Sequence, residues 1–157
     1  MSVSICMIVR NGAELILSCL ESVASVADEY ILVDTGSTDG TQELAAGFSP
    51  QVKIFSYSWD DNFGAARNVA LDKASGDWIL TIDADEELTL SGSNYLQNFF
   101  KHTPLNCCLY SVSIHNEIGT HSFMMKAPRI FPNGFNMRYH GLIHEKLYRQ
   151  NQYYPLP

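Results

Sequence analysis

Four short apolar runs, separated by segments with helical periodicity, constrain the fold of this 157-residue sequence more than any other feature. We predict buried strands in these runs, at Val3–Val9, Tyr30–Asp34, Val52–Tyr57 and Asp77–Ile82. The helical segments between the runs are predicted at Ala13–Val26, at Gln42–Phe48 and on a face formed by Phe63, Ala66, Ala70, Leu71 and Ala74. Alternating strands and helices form parallel sheets with right-handed crossovers, so we expect an α/β fold.

The pattern changes after Leu88. We predict one further helix and then two antiparallel strands, at Asn94–Lys101, Cys107–His115 and His121–Phe131. No linker divides the chain, so residues 1–157 are expected to form a single domain. The sequence ends at Tyr153–Pro157 without a closing helix, and we therefore expect that the chain could be a piece of a longer protein.

The charge balance narrows the range of functions. The formal net charge is -7 and only ten residues are Lys or Arg, which argues against nucleic acid as a partner, because phosphate backbones are held by clustered cations. Cys6 and Cys19 lie in apolar patterns and no C-x-x-C pair occurs, so we expect a reducing cytoplasm. Neither a signal peptide nor a transmembrane segment is predicted. Peripheral association of the protein with the inner face of the membrane is left as an alternative.

An acidic cluster follows the fourth predicted strand, with Asp83, Asp85, Glu86 and Glu87 in five positions. If the backbone stays extended, Asp83 and Asp85 project together, and two facing carboxylates need a cation between them. Mg²⁺ and Mn²⁺ accept such oxygens together with those of a phosphate, so half of a metal-diphosphate site is predicted. A solvated strand end is the alternative. Glu86 and Glu87 could instead favour the dipole of a helix's first turn, and for Glu87 we prefer that interpretation.

A second polar segment, Val33–Thr41, follows the second predicted strand. Asp34 ends that buried strand, where its carboxylate needs a hydrogen-bond donor, and a nucleobase imide or a ribose hydroxyl could supply one. The alternative is that Asp34 and Ser37 only organise the turn and cap the next helix.

These segments together resemble the family 2 glycosyltransferases, which have the nucleotide-sugar-binding GT-A fold, a Rossmann-like mostly parallel sheet. The resemblance lies in five blocks, Ser4–Asn11, Ile31–Thr41, Trp59–Leu71, Gly76–Leu88 and, more faintly, Tyr139–Leu147. The chain is most similar to the subgroup that contains lipopolysaccharide-core and peptide S-glycosyltransferases. The resemblance implies a nucleotide-sugar-binding half at 1–90 and an acceptor-side half at 91–157.

The resemblance also implies roles for individual residues. Nucleotide-sugar contacts are expected from Val9, Arg10, Asn11, Asp34, Ser37, Arg67 and Asp83. Asp83 and Asp85 would form the family's D-x-D, with Asp85 as the more direct ligand of Mn²⁺ or Mg²⁺. Thr35 departs from the family, because many members carry a second acid at this position. Arg67 could equally be an ordinary solvated or salt-bridged residue of its helix.

His140 and His144 lie four residues apart, but Gly141 makes a helix unconvincing, and no H-E-x-x-H pattern supports a zinc protease. The resemblance implies that the segment around His144 packs near the active site. His144 could then bind metal or diphosphate, and Glu145 could face the acceptor. Ordinary loop positions are the equal alternative for both residues.

The expected function is metal-dependent, inverting transfer of a sugar, from a donor that we expect to be a UDP-sugar, to a saccharide, lipid-linked or peptide acceptor. A carboxylate would act as general base, with Glu145 and Glu86 as candidates. The alternative from another class is a non-catalytic nucleotide-sugar-binding or interaction module. An aspartyl phosphatase is disfavoured because its nucleophile would follow the first strand, and a dehydrogenase because no G-x-G-x-x-G follows that strand.

Overall fold

The computed structural model describes residues 1–119 and 121–149 and contains a mixed sheet flanked by helices. The strands are β1 (Val3–Val9), β2 (Glu29–Asp34), β3 (Val52–Ser56), β4 (Trp78–Thr81), β5 (Tyr110–Ile118), β6 (His121–Pro132), β7 (Met137–His140) and β8 (Lys146–Arg149). The helices are α1 (Ile16–Val23), α2 (Thr41–Phe48), α3 (Phe63–Lys73) and α4 (Leu90–His102).

The predicted alternation of strands and helices is confirmed. Six strands form one sheet in the order β3-β2-β1-β4-β6-β5, in which the first four strands along the chain are parallel. β6 runs antiparallel to β4 and to β5, as predicted for the C-terminal part. The remaining strands, β7 and β8, form a separate antiparallel pair.

Two helix predictions were wrong in their bounds. α1 begins at Ile16 rather than Ala13, because the carbonyl of Gly12 accepts hydrogen bonds from Leu15 and Ile16 in a preceding turn. α4 begins at Leu90 rather than Asn94, since the Thr89 hydroxyl accepts the Gly92 N–H as an N-cap. The first turn of α4 contains no acidic residue, so the dipole explanation for Glu86 and Glu87 is wrong.

Each face of the six-stranded sheet carries its own apolar core, because successive strand residues point to opposite faces. One core joins Ile5, Met7, Leu32 and Trp78 to helices α1, α2 and α4. The other joins Cys6, Ile31, Val33 and Ile79 to α3 and to the β7–β8 pair. The sheet therefore fixes α3 and the β7–β8 pair on the same side.

Glu29 fastens the amino-terminal ends of the strands. Its carboxylate accepts hydrogen bonds from the Ser4 hydroxyl, the Ser75 amide and the Lys53 ammonium, each at 2.6 Å. Burial opposes ionisation of this carboxyl, but the donors outweigh burial and lower its pKa from 4.5 to about 2. Glu29 is thus a buried, fully paired carboxylate that joins β1, β2, β3 and the turn before β4.

The β5–β6 hairpin extends past the carboxyl end of β4. β4 pairs with β6 only from Ile130 to Pro132, whereas β5 pairs with β6 as far as His121. Phe123, Met124 and Met125 are exposed on this extension. In the described part of the chain, no helix is long and apolar enough to cross a membrane.

A Glu29→Gln variant should lower the free energy of unfolding at neutral pH by about 2 kcal/mol, because a paired buried carboxylate is lost. Since the folded pKa is below the unfolded value, this stabilisation is complete above about pH 4.5 and is lost as the pH falls towards 2. Urea denaturation of both proteins between pH 7 and pH 2.5 measures this. The exposed Glu21→Gln variant is the control, and an equal loss there would contradict the role of Glu29.

Candidate active site

Three parallel strands deliver polar residues to one edge of the sheet. β1 and β2 are in register with Val9 opposite Asp34, and β4 lies on the other side of β1 and leads directly to Asp83. The carboxyl edge of such a sheet is where α/β proteins bind ligands. The blocks that are dispersed along the sequence therefore meet at one place, as expected.

The backbone turns sharply after β4. The Glu86 amide donates to the Asp83 carbonyl at 3.0 Å, and the Glu86 carboxylate accepts the Asp83 amide at 3.0 Å. The backbone is therefore not extended here, and the condition under which Asp83 and Asp85 would project together is not met. Asp83 is half-buried and points into the site, whereas Asp85 lies exposed at the turn.

Two arginines hold the Asp83 carboxylate. Arg67 of α3 donates to one oxygen, Oδ1, at 2.7 Å, and Arg129 of β6 donates to the other, Oδ2, at 2.9 Å. Burial alone would favour the protonated acid, but the two guanidinium groups lower the pKa of Asp83 below its usual value. Asp83 is consequently an ionised carboxylate whose two oxygens are both occupied.

Both arginines also bind a second carboxylate. Arg67 donates to Glu145 at 2.5 Å and lies over the ring of Tyr139, with 5.7 Å between the guanidinium carbon and the ring centroid. Arg129 donates to Glu86 at 2.6 Å. Burial raises the pKa of Glu86 even though Arg129 opposes the shift. The five charged groups form one cluster, which we call the Asp83 cluster: Arg67, Asp83, Glu86, Arg129 and Glu145.

The loops that follow β1 and β2 lock each other in place. The Asn11 amide donates to the Ser37 hydroxyl at 2.8 Å, and the Asn11 side chain accepts the Thr38 amide at 2.9 Å. Asn11 adopts a φ of 52°, a left-handed conformation that Asn tolerates better than most residues. The helix that follows begins after Gly40 without a side-chain cap, so Asp34 and Ser37 do not cap it. They do organise the turn, since Asp34 accepts hydrogen bonds from the Gly36 and Ser37 amides. Arg10 is exposed beside this junction.

Asp34 leaves one carboxylate oxygen open. Its Oδ1 accepts three hydrogen bonds, from the Gly36 and Ser37 amides and the Gln42 side chain, at 2.9, 3.0 and 2.9 Å. Although burial opposes ionisation, hydrogen bonds from Ser37, Gly36 and Gln42 lower the pKa of Asp34. The residue is only 2% exposed, and its Oδ2 has no hydrogen-bond partner among the described residues. A buried acceptor without a donor is costly, so a ligand donor that reached this oxygen would recover free energy.

Helix α3 positions the loop between β7 and β8, which carries His144 and Glu145. The Asn68 side chain makes two hydrogen bonds with the backbone of Tyr139, at 2.9 Å and 2.8 Å. A Cβ atom at Gly64 would lie 2.7 Å from the Gly141 carbonyl oxygen, so only glycine permits this close packing. His140 ends β7 and His144 lies in the following loop, which agrees with the rejection of a helix.

The expected metal ligands are not gathered around one point. Within residues 1–119 and 121–149, no three His, Cys, Asp or Glu side chains are arranged to hold a metal ion. His144 is exposed, and no hydrogen bond or ion pair of the described residues joins it to Asp83 or Asp85. The assignment of Asp83, Asp85 and His144 to a metal stays a prediction.

Sequence reasoning missed Arg129. Arg129 lies 46 positions after Asp83, in β6, and the residues next to it in the sequence do not resemble a functional site. The same strand also contains Lys126, so the charge of Arg129 did not single it out. Sequence reasoning also left Asn68 without a role, although its two backbone hydrogen bonds fix the loop that carries Glu145.

One protein-family model matches nearly the whole chain. The family model described as "Glycosyl transferase family 2" matches residues 4–154. A protein of Synechococcus elongatus named as TPR repeat-containing is 49% identical over 96 residues, which are 61% of this chain and 23% of the relative. The SPbeta prophage-derived glycosyltransferase SunS of Bacillus subtilis is 28% identical over 148 residues, 94% of this chain and 35% of SunS. The matched residues thus span only a minor part of each of these two relatives.

The fold is similar to that of solved glycosyltransferases. The mannosyltransferase PcManGT from Pyrobaculum calidifontis, solved with GDP-Man and Mn²⁺, matches with a TM-score of 0.55 and 26% identity. That match covers 66% of this chain and 33% of PcManGT. The predicted fold class, with a mostly parallel sheet and antiparallel strands in the C-terminal part, is therefore confirmed.

An Asn68→Asp variant should have a free energy of unfolding about 1 to 3 kcal/mol lower than that of the wild type. An aspartate cannot donate to the Tyr139 carbonyl and leaves that buried acceptor unpaired. Hydrogen exchange should show the largest increase in the β7–β8 pair. Thermal denaturation and exchange mass spectrometry measure the two effects. Asn94→Asp, on the exposed face of α4, is the matched control, and equal effects in both variants would refute the positioning role.

Proposed function

The chain belongs to glycosyl transferase family 2, and we propose that it transfers a sugar from a nucleotide-sugar donor to an acceptor nucleophile with inversion at the anomeric carbon. One observation carries the proposal. A single sheet edge contains both a buried carboxylate oxygen without a donor, on Asp34, and two partly buried guanidinium groups, on Arg67 and Arg129. A nucleoside and a diphosphate need those two kinds of group.

The nucleoside end of the donor is assigned to Asp34. Its free Oδ2 would accept a hydrogen bond from a base imide or a ribose hydroxyl, while Oδ1 keeps its own three donors. Val9, Arg10, Asn11 and Ser37 surround this position and would shape the base pocket. The sequence resemblance favours uridine, and PcManGT, which binds GDP-Man, supports a nucleotide-sugar donor in general. The proposed donor is a UDP-sugar.

The diphosphate is assigned to the Asp83 cluster. An anion of this kind is poorly compatible with a chain of net charge -7 unless cations are concentrated where it binds. Arg67 and Arg129 are the cations at this position, and a guanidinium group binds phosphate oxygens in a fixed, two-pronged geometry. Because the carboxylates of Asp83, Glu86 and Glu145 outnumber them, a divalent cation would supply the remaining positive charge. Each arginine side chain is partly buried and held by ion pairs, so little ordering of the side chain is needed when the diphosphate arrives.

The residues present suit a divalent cation in their chemistry. Asp85 is an exposed carboxylate with no ion pair among the described residues, and Asp83 lies two positions before it. Mg²⁺ and Mn²⁺ take carboxylate oxygens together with those of a diphosphate, so we assign Asp85 as the direct ligand, Asp83 as the second and His144 as the third. When bound, the cation would supply charge neutralisation at the leaving diphosphate. The Mn²⁺ in the structure of PcManGT supports the use of a divalent cation in general.

The acceptor proton is assigned to a carboxylate of the same cluster. Glu145 is held by Arg67 through one oxygen, Oε1, so its other oxygen is available to receive a proton from the acceptor. Glu86 is the second candidate, since burial raises its pKa, but both of its oxygens already accept hydrogen bonds. We therefore place Glu145 first as the general base.

Apart from Arg129 and His144, which would act on the donor diphosphate and the metal, residues 91–157 are assigned to the acceptor side and residues 1–90 to the donor side. The β5–β6 hairpin supports this division, because it extends beyond the carboxyl end of β4, next to the Asp83 cluster. Its exposed Phe123, Met124 and Met125 would give an acceptor an apolar surface. A saccharide, a lipid-linked acceptor and a peptide remain the proposed classes, and a cytoplasmic position at the inner membrane face stays a prediction.

A second function is favoured by one observation, which is that the chain spans 23% and 35% of the two relatives. If acceptor-binding parts of the relatives have no counterpart here, residues 1–157 would bind a nucleotide-sugar without transferring it. Binding and turnover therefore need separate measurements.

An Asp34→Asn variant should bind UDP at least tenfold more weakly. The side-chain NH₂ group that replaces Oδ2 is a hydrogen-bond donor and cannot accept the hydrogen bond that the ligand donates. Calorimetric titration of UDP, and of GDP as a comparison, in the presence of Mn²⁺ measures the change. Asp72→Asn removes an exposed carboxylate at the far end of α3 and should bind like the wild type. Equal affinities in all three proteins would remove Asp34 from the site.

Release of nucleoside diphosphate tests the enzyme against the binding module. With Mn²⁺, the wild type should release UDP from a UDP-sugar, slowly with water and faster with an acceptor. Asp85→Asn should lower the rate by about 100-fold or more, because charge on the leaving diphosphate is no longer compensated. UDP binding without release from any of several UDP-sugars or from GDP-Man, with saccharide, lipid-linked and peptide acceptors, would favour the non-catalytic module.

A further inference from the structure

Arg129 occupies an irregular position in β6. The pairing between β5 and β6 joins Tyr110 to Ile130 and then Ser111 to Pro128, so Arg129 is the unmatched residue of a β-bulge. Bulges re-aim side chains and are frequent beside active sites. Here the bulge directs Arg129 at the turn after β4, and its side chain is only 14% exposed.

Arg129 and Arg67 together oppose the approach of other cations to Asp83. Each guanidinium group takes a different oxygen of the carboxylate, Oδ1 for Arg67 and Oδ2 for Arg129. A metal ion that approached Asp83 would meet two like charges at short range, which opposes its binding. Without a nucleotide, Asp85 is therefore the accessible half of the predicted D-x-D.

Arg129 also retains unused capacity for a hydrogen bond. Its Nε is buried and has no partner among the described residues, while one terminal nitrogen serves both Asp83 and Glu86. Leaving a buried donor unpaired costs free energy, which a ligand oxygen at that point would recover. A diphosphate has oxygens for both edges of the guanidinium group.

We propose that Arg129 is a positioning residue that holds Asp83 in the absence of donor and moves its hydrogen bonds to the diphosphate when the donor binds, which frees Asp83 for the metal ion. This inference rests on the proposed function. If Arg129 acts in this way, bound nucleotide raises the affinity for the metal ion. Bound metal ion must then raise the affinity for the nucleotide by the same factor, because the coupling between two binding sites is reciprocal. Arg67 keeps its contact with Glu145 throughout and holds the loop that carries it.

The test measures Mn²⁺ binding to the whole chain by electron paramagnetic resonance, first without nucleotide and then with UDP. In Arg129→Gln, Mn²⁺ alone should bind about tenfold more tightly than in the wild type, because Asp83 is released, whereas UDP with Mn²⁺ should bind about tenfold more weakly. If Arg129 served stability alone, the variant would bind both Mn²⁺ alone and UDP with Mn²⁺ more weakly. Arg138→Gln removes an arginine that pairs with Asp72 away from the site, and should change neither affinity.

The outcomes separate the two proposals. Unchanged or weaker binding of Mn²⁺ alone to a folded Arg129→Gln, in a chain whose wild type binds UDP, overturns the role of Arg129 and leaves the proposed function in place. No UDP binding by the wild type with Mn²⁺ overturns the UDP donor and, with it, the coupling. Loss of a buried ion pair could prevent folding of Arg129→Gln. In that case Arg129→Lys is the test variant. It should bind Mn²⁺ alone as tightly as the wild type does and should bind UDP several-fold more weakly. An unchanged UDP affinity in Arg129→Lys would also overturn the proposal.

Discussion

The ion pairs of Asp83 are the interaction on which the site as a whole depends. A carboxylate at the end of a buried strand is unfavourable unless cations compensate it, and here Arg67 of α3 and Arg129 of β6 do so from opposite sides. Through Arg67 the same charge reaches Glu145, next to the β7–β8 pair. One carboxylate thereby joins a helix, the central sheet and the second sheet at the edge where a ligand would bind.

The two ends of this edge differ in how they are stabilised. At the end near β2, backbone amides and neutral side chains fix Asp34 and the loops around it, so that only one oxygen stays open. Near β4, the structure depends on charges that can exchange partners. A rigid end suits recognition of a nucleoside, whereas exchangeable ion pairs suit a diphosphate whose charge changes during reaction. In the proposed enzyme, the same division separates donor recognition from chemistry.

The local sequence pattern was sufficient to predict the parallel strands of the six-stranded sheet, but it was not sufficient to predict the Asp83 cluster. The buried strands are recognisable as short apolar runs, and parallel topology follows from their alternation with helices, which is why Asp34 and Asp83 could be placed at one edge. The turn at Ala84–Asp85 could not be predicted, since it is held by the side chain of Glu86. Arg129 was out of reach because its direction is set by a bulge that depends on pairing with a distant strand. Asn68 likewise has a role only once the β7–β8 pair packs against α3.

A crystal structure of the protein with UDP and Mn²⁺ would test the proposed site directly. We expect uridine on Asp34, the diphosphate on Arg67 and Arg129, and the metal ion on Asp85 and Asp83. The opposite edge offers a clear alternative, a cavity of about 520 Å³ lined by Asp72, Asn133 and Arg138 among others. UDP bound there, or bound anywhere while both arginines still hold Asp83, would contradict the exchange of ion pairs on which the proposed site depends.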